Sequence, residues 1–303
     1  MELIRPDTRF DFIGKKKFTI WVSAIALLLC LGSIFFHGGL RYGVDFAGGI
    51  LIQIKFSKAV NISEVRSALE MMGSKEVSVQ AFGGENEFLI RVEKASEDLE
   101  EISKTIQTSL QEQFKDKALE IRRAEVVGPK VGKDLKTKAL WAVGLSFLGI
   151  LIYVAWRFKE VAYGLGGIVA LFHDIVVVYG AISIFNIEYS LNVLAVILTI
   201  IGFSINDTIV IFDRVRENIK KMRKESLETI FNISINETLG RTILTSGTVM
   251  MVVLILFFFG GSVIHDFTTA LNVGLITGTY STMYIASPVV LFWERHISRR
   301  RRR

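Results

Sequence analysis

Cysteine is almost missing from these 303 residues, and the single one, Cys30, excludes an internal disulfide and any zinc site built on thiolates. Lysine and arginine are missing in a more informative way. Six stretches contain neither: Phe18 to Phe36, Ala139 to Trp156, Val161 to Phe185, Leu191 to Phe212, Thr242 to Phe259 and Phe267 to Trp293. No Ser, His and Asp are arranged as a nucleophilic triad, and the segment between the first two stretches has no histidine after His37. A phosphate loop is lacking too. Gly128-Pro129-Lys130-Val131-Gly132-Lys133-Asp134 has three residues between its glycines where a Walker loop has four, and Asp134 where that loop needs Ser or Thr. The chain is therefore not expected to be an enzyme, and no metal or organic cofactor is expected.

Apolar side chains are abundant: 50% of the residues are hydrophobic and the mean hydropathy is +0.43. A soluble core of this length could not bury that much. A spanning helix needs about 20 apolar residues, so the six stretches read as six transmembrane helices. Orientation follows from their flanks, because cytoplasmic loops retain Lys and Arg. The basic flanks are the N-terminus (Arg5, Arg9, Lys15, Lys16, Lys17), the Arg157-Phe158-Lys159 link, Arg214 to Lys224, and the tail from Arg295 to Arg303. The loops at Asn186 to Glu188 and Gly260 to Asp266 carry no Lys or Arg. Both termini are thus expected in the cytoplasm, with residues 1–17 and 294–303 as basic ends. The net charge of +6 then has a plain cause, and the tail is expected to meet lipid headgroups rather than nucleic acid. The first stretch follows a Lys triplet but ends in Phe35-Phe36-His37, without small residues for cleavage, and reads as an uncleaved anchor.

Residues 37–138 have ordinary soluble composition and are expected to fold outside the cytoplasm. Strand patterns cover Gly49 to Phe56, Lys75 to Phe82, Glu87 to Val92 and Leu119 to Val127, with a hairpin turn at Gly83-Gly84-Glu85-Asn86. Helical patterns cover Ile62 to Met72, capped by Asn61 or Ser63, and Ser96 to Phe114. The order β-α-β-β-α-β predicts a ferredoxin-like α+β domain, two helices on one face of a four-stranded antiparallel sheet. The other face is left either solvated or binding something. A further helical pattern at Glu225 to Asn236 predicts a helix at the cytoplasmic surface, with Leu227, Ile230 and Phe231 turned to lipid or protein.

Four ionisable residues fall at membrane depth, where they cost several kcal/mol on insertion scales and so have a task or a partner. Asp207 is roughly 9 Å of helix inside the boundary marked by Asp213. Arg241 opens the fifth stretch, and Thr245 and Thr248 follow at i+4 and i+7 on its face. Burial disfavours a charged Asp207 whereas a nearby guanidinium favours it, so helix movement that separates the two would switch a proton on and off. The competing reading is a structural ion pair, or an Arg241 that only reaches headgroups. His173 and Asp174, mid-way along the third stretch, form a second cluster that is either relay or interhelical glue. Asn192 and Asn272 read as glue.

Several of these residues sit in motifs that closely resemble the SecD/SecF family of bacterial protein-export proteins, on its SecF side. They are Gly43-Val44-Asp45-Phe46-Ala47-Gly48-Gly49, the Val127-Gly128-Pro129-Lys130-Val131-Gly132 segment, and Asn206-Asp207-Thr208 running on to Asp213-Arg214-Val215-Arg216-Glu217-Asn218. Arg241 to Thr248 and His173-Asp174 extend the likeness across the whole chain. The resemblance implies membership of the resistance-nodulation-division superfamily, whose members relay protons through buried carboxylates, and a relay here through Asp207, Arg241, Thr245 and Asn206. It implies work beside a SecYEG channel with a separate SecD-like subunit, since fused relatives have twelve spans, and with YajC as a further partner. The implied task is use of the proton motive force to complete export of unfolded polypeptides across the bacterial inner membrane, protons being the coupling ion and the outer domain periplasmic. The alternative from the same superfamily is a proton-driven exporter of small molecules or lipids.

Overall fold

A computed structural model describes residues 9–71, 77–82, 86–92, 99–158 and 160–295. Arg5, the start of the second strand pattern, Gly83 to Glu85 of the turn, Ser96, Lys159 and the tail beyond Arg295 lie outside them. The chain divides into two compact units, Met1–Arg41 with Ala142–Ile187 and Asn192–Arg303, and Tyr42–Trp141 with Glu188–Leu191.

The first unit contains the apolar helices. These are α1 (Lys16–Phe36), the later part of α5 (Pro129–Phe158), α6 (Val161–Ile184), α7 (Leu191–Lys221), α8 (Leu227–Phe259), α9 (Ser262–Ser281) and α10 (Ser287–Trp293). A π-helical turn, Thr282–Ala286, joins α9 to α10 so that the pair makes one crossing. All six apolar stretches are helical, and each helix is long and apolar enough to cross a membrane. The π turn has a cause in Pro288. A proline ring clashes with the carbonyl four residues back, here that of Tyr284, and widening the helix there relieves the clash.

Packing sorts these helices. α6, α7 and the α9–α10 crossing are mostly buried, whereas α1, α5 and α8 keep most of their apolar surface exposed. Close approach is bought by small residues. A Cβ on Gly166 would stand 2.8 Å from the Ala286 carbonyl, and Gly180 of α6 lies directly against Cys30 of α1. The lone cysteine is thus a buried packing residue in the α1–α6 contact.

The helical pattern at Glu225 to Asn236 is not a separate surface helix. It is the first part of α8, which is capped by the Ser226 hydroxyl accepting from the Thr229 N–H and runs unbroken into the apolar stretch. Ile230 and Phe231 are buried in protein rather than lipid-facing. The segment before α1 explains part of this. Asn232 and Asn236, one turn apart, accept from the backbone N–H groups of Phe12 (2.8 Å) and Phe10 (2.8 Å) and donate back to the Phe10 carbonyl. Phe12 and Ile13 are buried there, and Glu228 pairs with Lys16 of α1 and, at 3.0 Å, with Arg295.

In the second unit, β1 (Gly49–Phe56), β2 (Val77–Ala81), β3 (Glu87–Val92) and β4 (Leu119–Val127) form one antiparallel sheet in the order β2-β3-β1-β4. With α3 (Ile62–Met71) and α4 (Leu99–Gln113) this is the ferredoxin-like arrangement. Ile50, Ile52, Ile54 and Phe56 alternate onto one face and pack with Val65, Leu69, Ile106 and Leu110. The opposite face is polar at Gln53, which donates to Glu87 (2.7 Å), and at Arg123, which pairs with Glu125.

The unit's boundaries differ from the expected 37–138, because the loop Glu188–Leu191 belongs to it. Tyr189 bridges to Tyr42, accepts from the Gly43 N–H (2.9 Å) and stacks on Phe46 at 5.2 Å. Glu188 pairs with buried Arg91, and Asp45 accepts from the Leu191 N–H at 2.9 Å. The two glycine motifs meet here as well. The short helix α2 (Val44–Ala47) ends at Gly48, whose φ of +79° suits glycine, and a Cβ on Gly132 would fall 3.1 Å from both the Gly48 nitrogen and the Phe46 oxygen. Gly132 sits in the first turns of α5, which Pro129 opens at a position where its missing N–H costs nothing.

Candidate functional site

Asp207 is 2% exposed, on the face of α7 that also carries Ser204 and Thr208, so one helix side presents a carboxylate and two hydroxyls. Its partner is the Ser246 hydroxyl of α8, which donates to Oδ2 at 3.4 Å. Ser246 in turn accepts from Thr279 of α9 at 3.0 Å. Arg241 lies in electrostatic range of the carboxylate, but the donor in contact is Ser246, and Arg241 itself is exposed.

The expected stripe of Arg241, Thr245 and Thr248 is therefore displaced. Thr245 bonds back to the carbonyls of Arg241 (2.9 Å) and Thr242 (3.1 Å), and Thr248 to that of Thr245 (3.0 Å). Such back-bonding directs each hydroxyl's one hydrogen into its own helix and leaves it only as an acceptor toward a neighbour. The inward stripe lies one residue further round α8, at Thr242 and Ser246, both buried. Asn206 is exposed, turned away from its neighbour Asp207.

His173 and Asp174 form the more completely built cluster. Asp174 has no solvent exposure; its Oδ2 accepts from Ser204 of α7 (2.6 Å) and Ser281 of α9 (2.7 Å), and its Oδ1 lies 3.2 Å from His173 Nδ1. A carboxylate buried at this depth is tolerated when hydrogen-bond donors converge on it, and here three helices supply them. One turn along, Thr208 donates to Thr282 (3.2 Å) at the start of the π turn. Tyr280, tilted against the His173 ring, donates to the Thr19 carbonyl (2.8 Å) and meets the Ser23 hydroxyl at 2.9 Å. Asp207 of α7 and Asp174 of α6 are thus both linked to α9, the first through Ser246 and Thr279 and the second through Ser281. Of the expected glue residues, Asn192 is exposed and the Asn272 Oδ1 is buried without a partner.

The charged run that follows Asp207 ties helices together at one end of the unit. Arg157 of α5 donates to Asp213 (2.6 Å) and Arg216 donates to the Arg157 carbonyl (3.3 Å). Arg214 reaches Glu217 (2.7 Å) and Glu237 of α8 (2.6 Å), and buried Asn218 donates to Glu237 (2.6 Å) and Ser234 (3.0 Å). These residues fix α5, α7 and α8 to one another rather than facing Asp207. Sequence reasoning missed Ser204, Ser246, Thr279 and Ser281; their signal is weak, since hydroxyls inside helices are common and only the three-dimensional arrangement separates inward from self-satisfied ones.

The comparisons with known proteins agree on a family. The family described as "Protein export membrane protein SecD/SecF, C-terminal" matches residues 105–296, and the "SecD/SecF GG Motif" matches residues 33–60. A protein translocase subunit SecF from Calditerrivibrio nitroreducens is 43% identical over 96% of this chain and 96% of its own length. One from Pseudomonas aeruginosa is 40% identical over 93% of this chain and 90% of its own. Among solved structures, SecDF from Thermus thermophilus, described as a translocon-associated membrane protein, is similar with a TM-score of 0.85 and 34% identity over 97% of this chain. A SecDF in super-membrane-facing form matches with a TM-score of 0.72 and 33% identity. This chain spans 40% and 41% of those two longer chains.

Proposed function

The chain belongs to the SecD/SecF family of protein-export membrane proteins, and from that premise we propose that it is an accessory subunit of the Sec translocase, coupling the proton motive force to late steps of export. The observation that carries the coupling is a buried acid, Asp207, held by a single hydroxyl with Arg241 nearby but not in contact. In this arrangement the carboxylate has one donor and room to take a proton. Rotation or sliding of α8 against α7 by a fraction of a turn would bring the guanidinium to Oδ2 in place of Ser246, favour the charged form and release that proton. One charge moved through the membrane potential is worth about 2.3 kcal/mol per 100 mV, enough to drive a modest helix rearrangement repeatedly. Asp174, saturated by Ser204, Ser281 and His173, is the fixed point about which α7 and α9 are held during that movement.

A second subunit is part of this reading. Asn206 and Arg241 are exposed within the apolar helices. Polar groups facing lipid at that depth are costly, so a companion set of helices is proposed to cover them, SecD-like because this chain spans only 40% and 41% of the SecDF chains it resembles. The remaining assignments are of the same kind: a SecYEG channel and YajC as neighbours, an unfolded polypeptide as cargo, and the bacterial inner membrane as location with both termini cytoplasmic and the α+β unit periplasmic.

Affinity purification of the full chain from native membranes in mild detergent tests the assembly. A SecD-like subunit and SecYEG are expected in roughly constant ratio to it. Recovery of the chain alone, or with an outer-membrane channel typical of small-molecule exporters, would remove the export reading.

A further inference from the structure

Independently of the export reading, a cavity of about 400 Å³ opens between α1, α6 and the π turn with α10. Its walls are Ile20, Ala24 and Leu27, then Val169 and Phe172, then Val289 and Phe292, all apolar. Two polar residues also line it. Ser23 is satisfied, its hydroxyl lying 2.9 Å from that of Tyr280. His173 is not: it is 5% exposed, tethered at Nδ1 to Asp174, and its Nε2 is buried without a hydrogen-bond partner.

The tether fixes what Nε2 wants. Both hydroxyl donors reach Oδ2 of Asp174 and leave Oδ1 as the acceptor that faces the ring, so in the neutral tautomer that pairs with it Nδ1 carries the hydrogen and Nε2 presents a lone pair. His173 lines the cavity whereas Asp174, its Nδ1 partner, does not, so the tethered edge of the ring is the one turned from the cavity. The mouth is flanked by exposed Ile20, Phe172 and Phe292, so entry is from the apolar surroundings of the helices.

We propose that this cavity is a binding site for a membrane-soluble molecule with an apolar body and one hydroxyl, which donates to His173 Nε2. The volume falls in the range of small-molecule sites, roughly 300 to 1,000 Å³. A neighbouring helix, about 10 Å across, could place only a side chain in it. The walls supply no charge to hold a phosphate or carboxylate headgroup, which turns the specificity toward neutral alcohols such as acylglycerols or prenols.

The test uses the full chain in lipid nanodiscs and a matched pair of probes, hexadecanol carrying a diazirine and an alkyne, and its methyl ether. Photolabelling of peptides containing Phe172 or Phe292 is expected to be about tenfold stronger with the alcohol, the equivalent of about 1.4 kcal/mol for one hydrogen bond. His173→Leu should erase that preference while the ether labels as before. Val289→Trp fills the cavity, leaves the His173–Asp174 contact in place and should abolish labelling by both. Competition by diolein or by farnesol identifies a glycerolipid or a prenol source. Equal labelling by alcohol and ether in the unmodified chain, labelling that survives Val289→Trp, or competition by neither alcohol overturns the proposal.

Discussion

Asp174 is the residue on which most of the buried polar chemistry converges, and its energetics are open to direct measurement. Each serine hydroxyl donated to a charged oxygen contributes about 1.5 to 3 kcal/mol, and its removal leaves a buried acceptor short of a partner. Ser204→Ala and Ser281→Ala should therefore each lower the thermal unfolding midpoint of the full chain in detergent. The double variant should cost other than the sum, because both hydroxyls share Oδ2. Unchanged midpoints in both single variants would show that the cluster does not hold the helices. Asp207 behaves differently: its one contact, at 3.4 Å, is long, so Ser246→Ala should leave stability nearly unchanged and act instead on gradient-dependent export, slowing it severalfold. Both acids were legible in the sequence because ionisable residues interrupt apolar stretches. The hydroxyls that serve them were not, because a serine or threonine in a helix bonds its own backbone by default, as Thr245 does.

At the scale of elements, spans and strands could be read for a physical reason and their limits could not. Apolar runs without Lys or Arg mark what lies in hydrocarbon, not where a helix starts. α5 therefore begins at Pro129, well before Ala139, through a run of lysines that is helical but not apolar. For the same reason α8 begins at Leu227 rather than Thr242. The β-α-β-β-α-β order was legible because one face of the sheet is buried and alternation reports it. The seating of the Glu188–Leu191 loop against Tyr42, Asp45 and Arg91 left no periodic trace. The glycine motifs acquire their meaning only when brought together. Gly132→Ala would force a Cβ to 3.1 Å from two backbone atoms, which cannot move aside as a side chain would. A cost of about 1 to 3 kcal/mol is expected, read as faster proteolysis of the α+β unit in the intact chain. Gly128→Ala, where a Cβ meets nothing within 4 Å, is the matched control and should show no such loss.

For the whole molecule, most described polar side chains are either consumed inside a unit or left on its outside. Asp213, Arg214, Arg216, Glu217 and Asn218 are consumed in clamping α5, α7 and α8, and Asn232 with Asn236 in holding the N-terminal segment. Arg241 and Asn206 are left out, and the proposed companion subunit gives them cover, while movement of α8 gives Asp207 its switch through Arg241. The claim at the centre of this account is that a proton bound at Asp207 transmits the gradient. The direct measurement is ATP-primed export of an unfolded precursor into inverted membrane vesicles carrying Asp207→Asn, with and without an imposed proton gradient. The account predicts a variant that assembles with its partners and supports the ATP-driven phase, yet no longer responds to the gradient. Full gradient stimulation in that variant would contradict it.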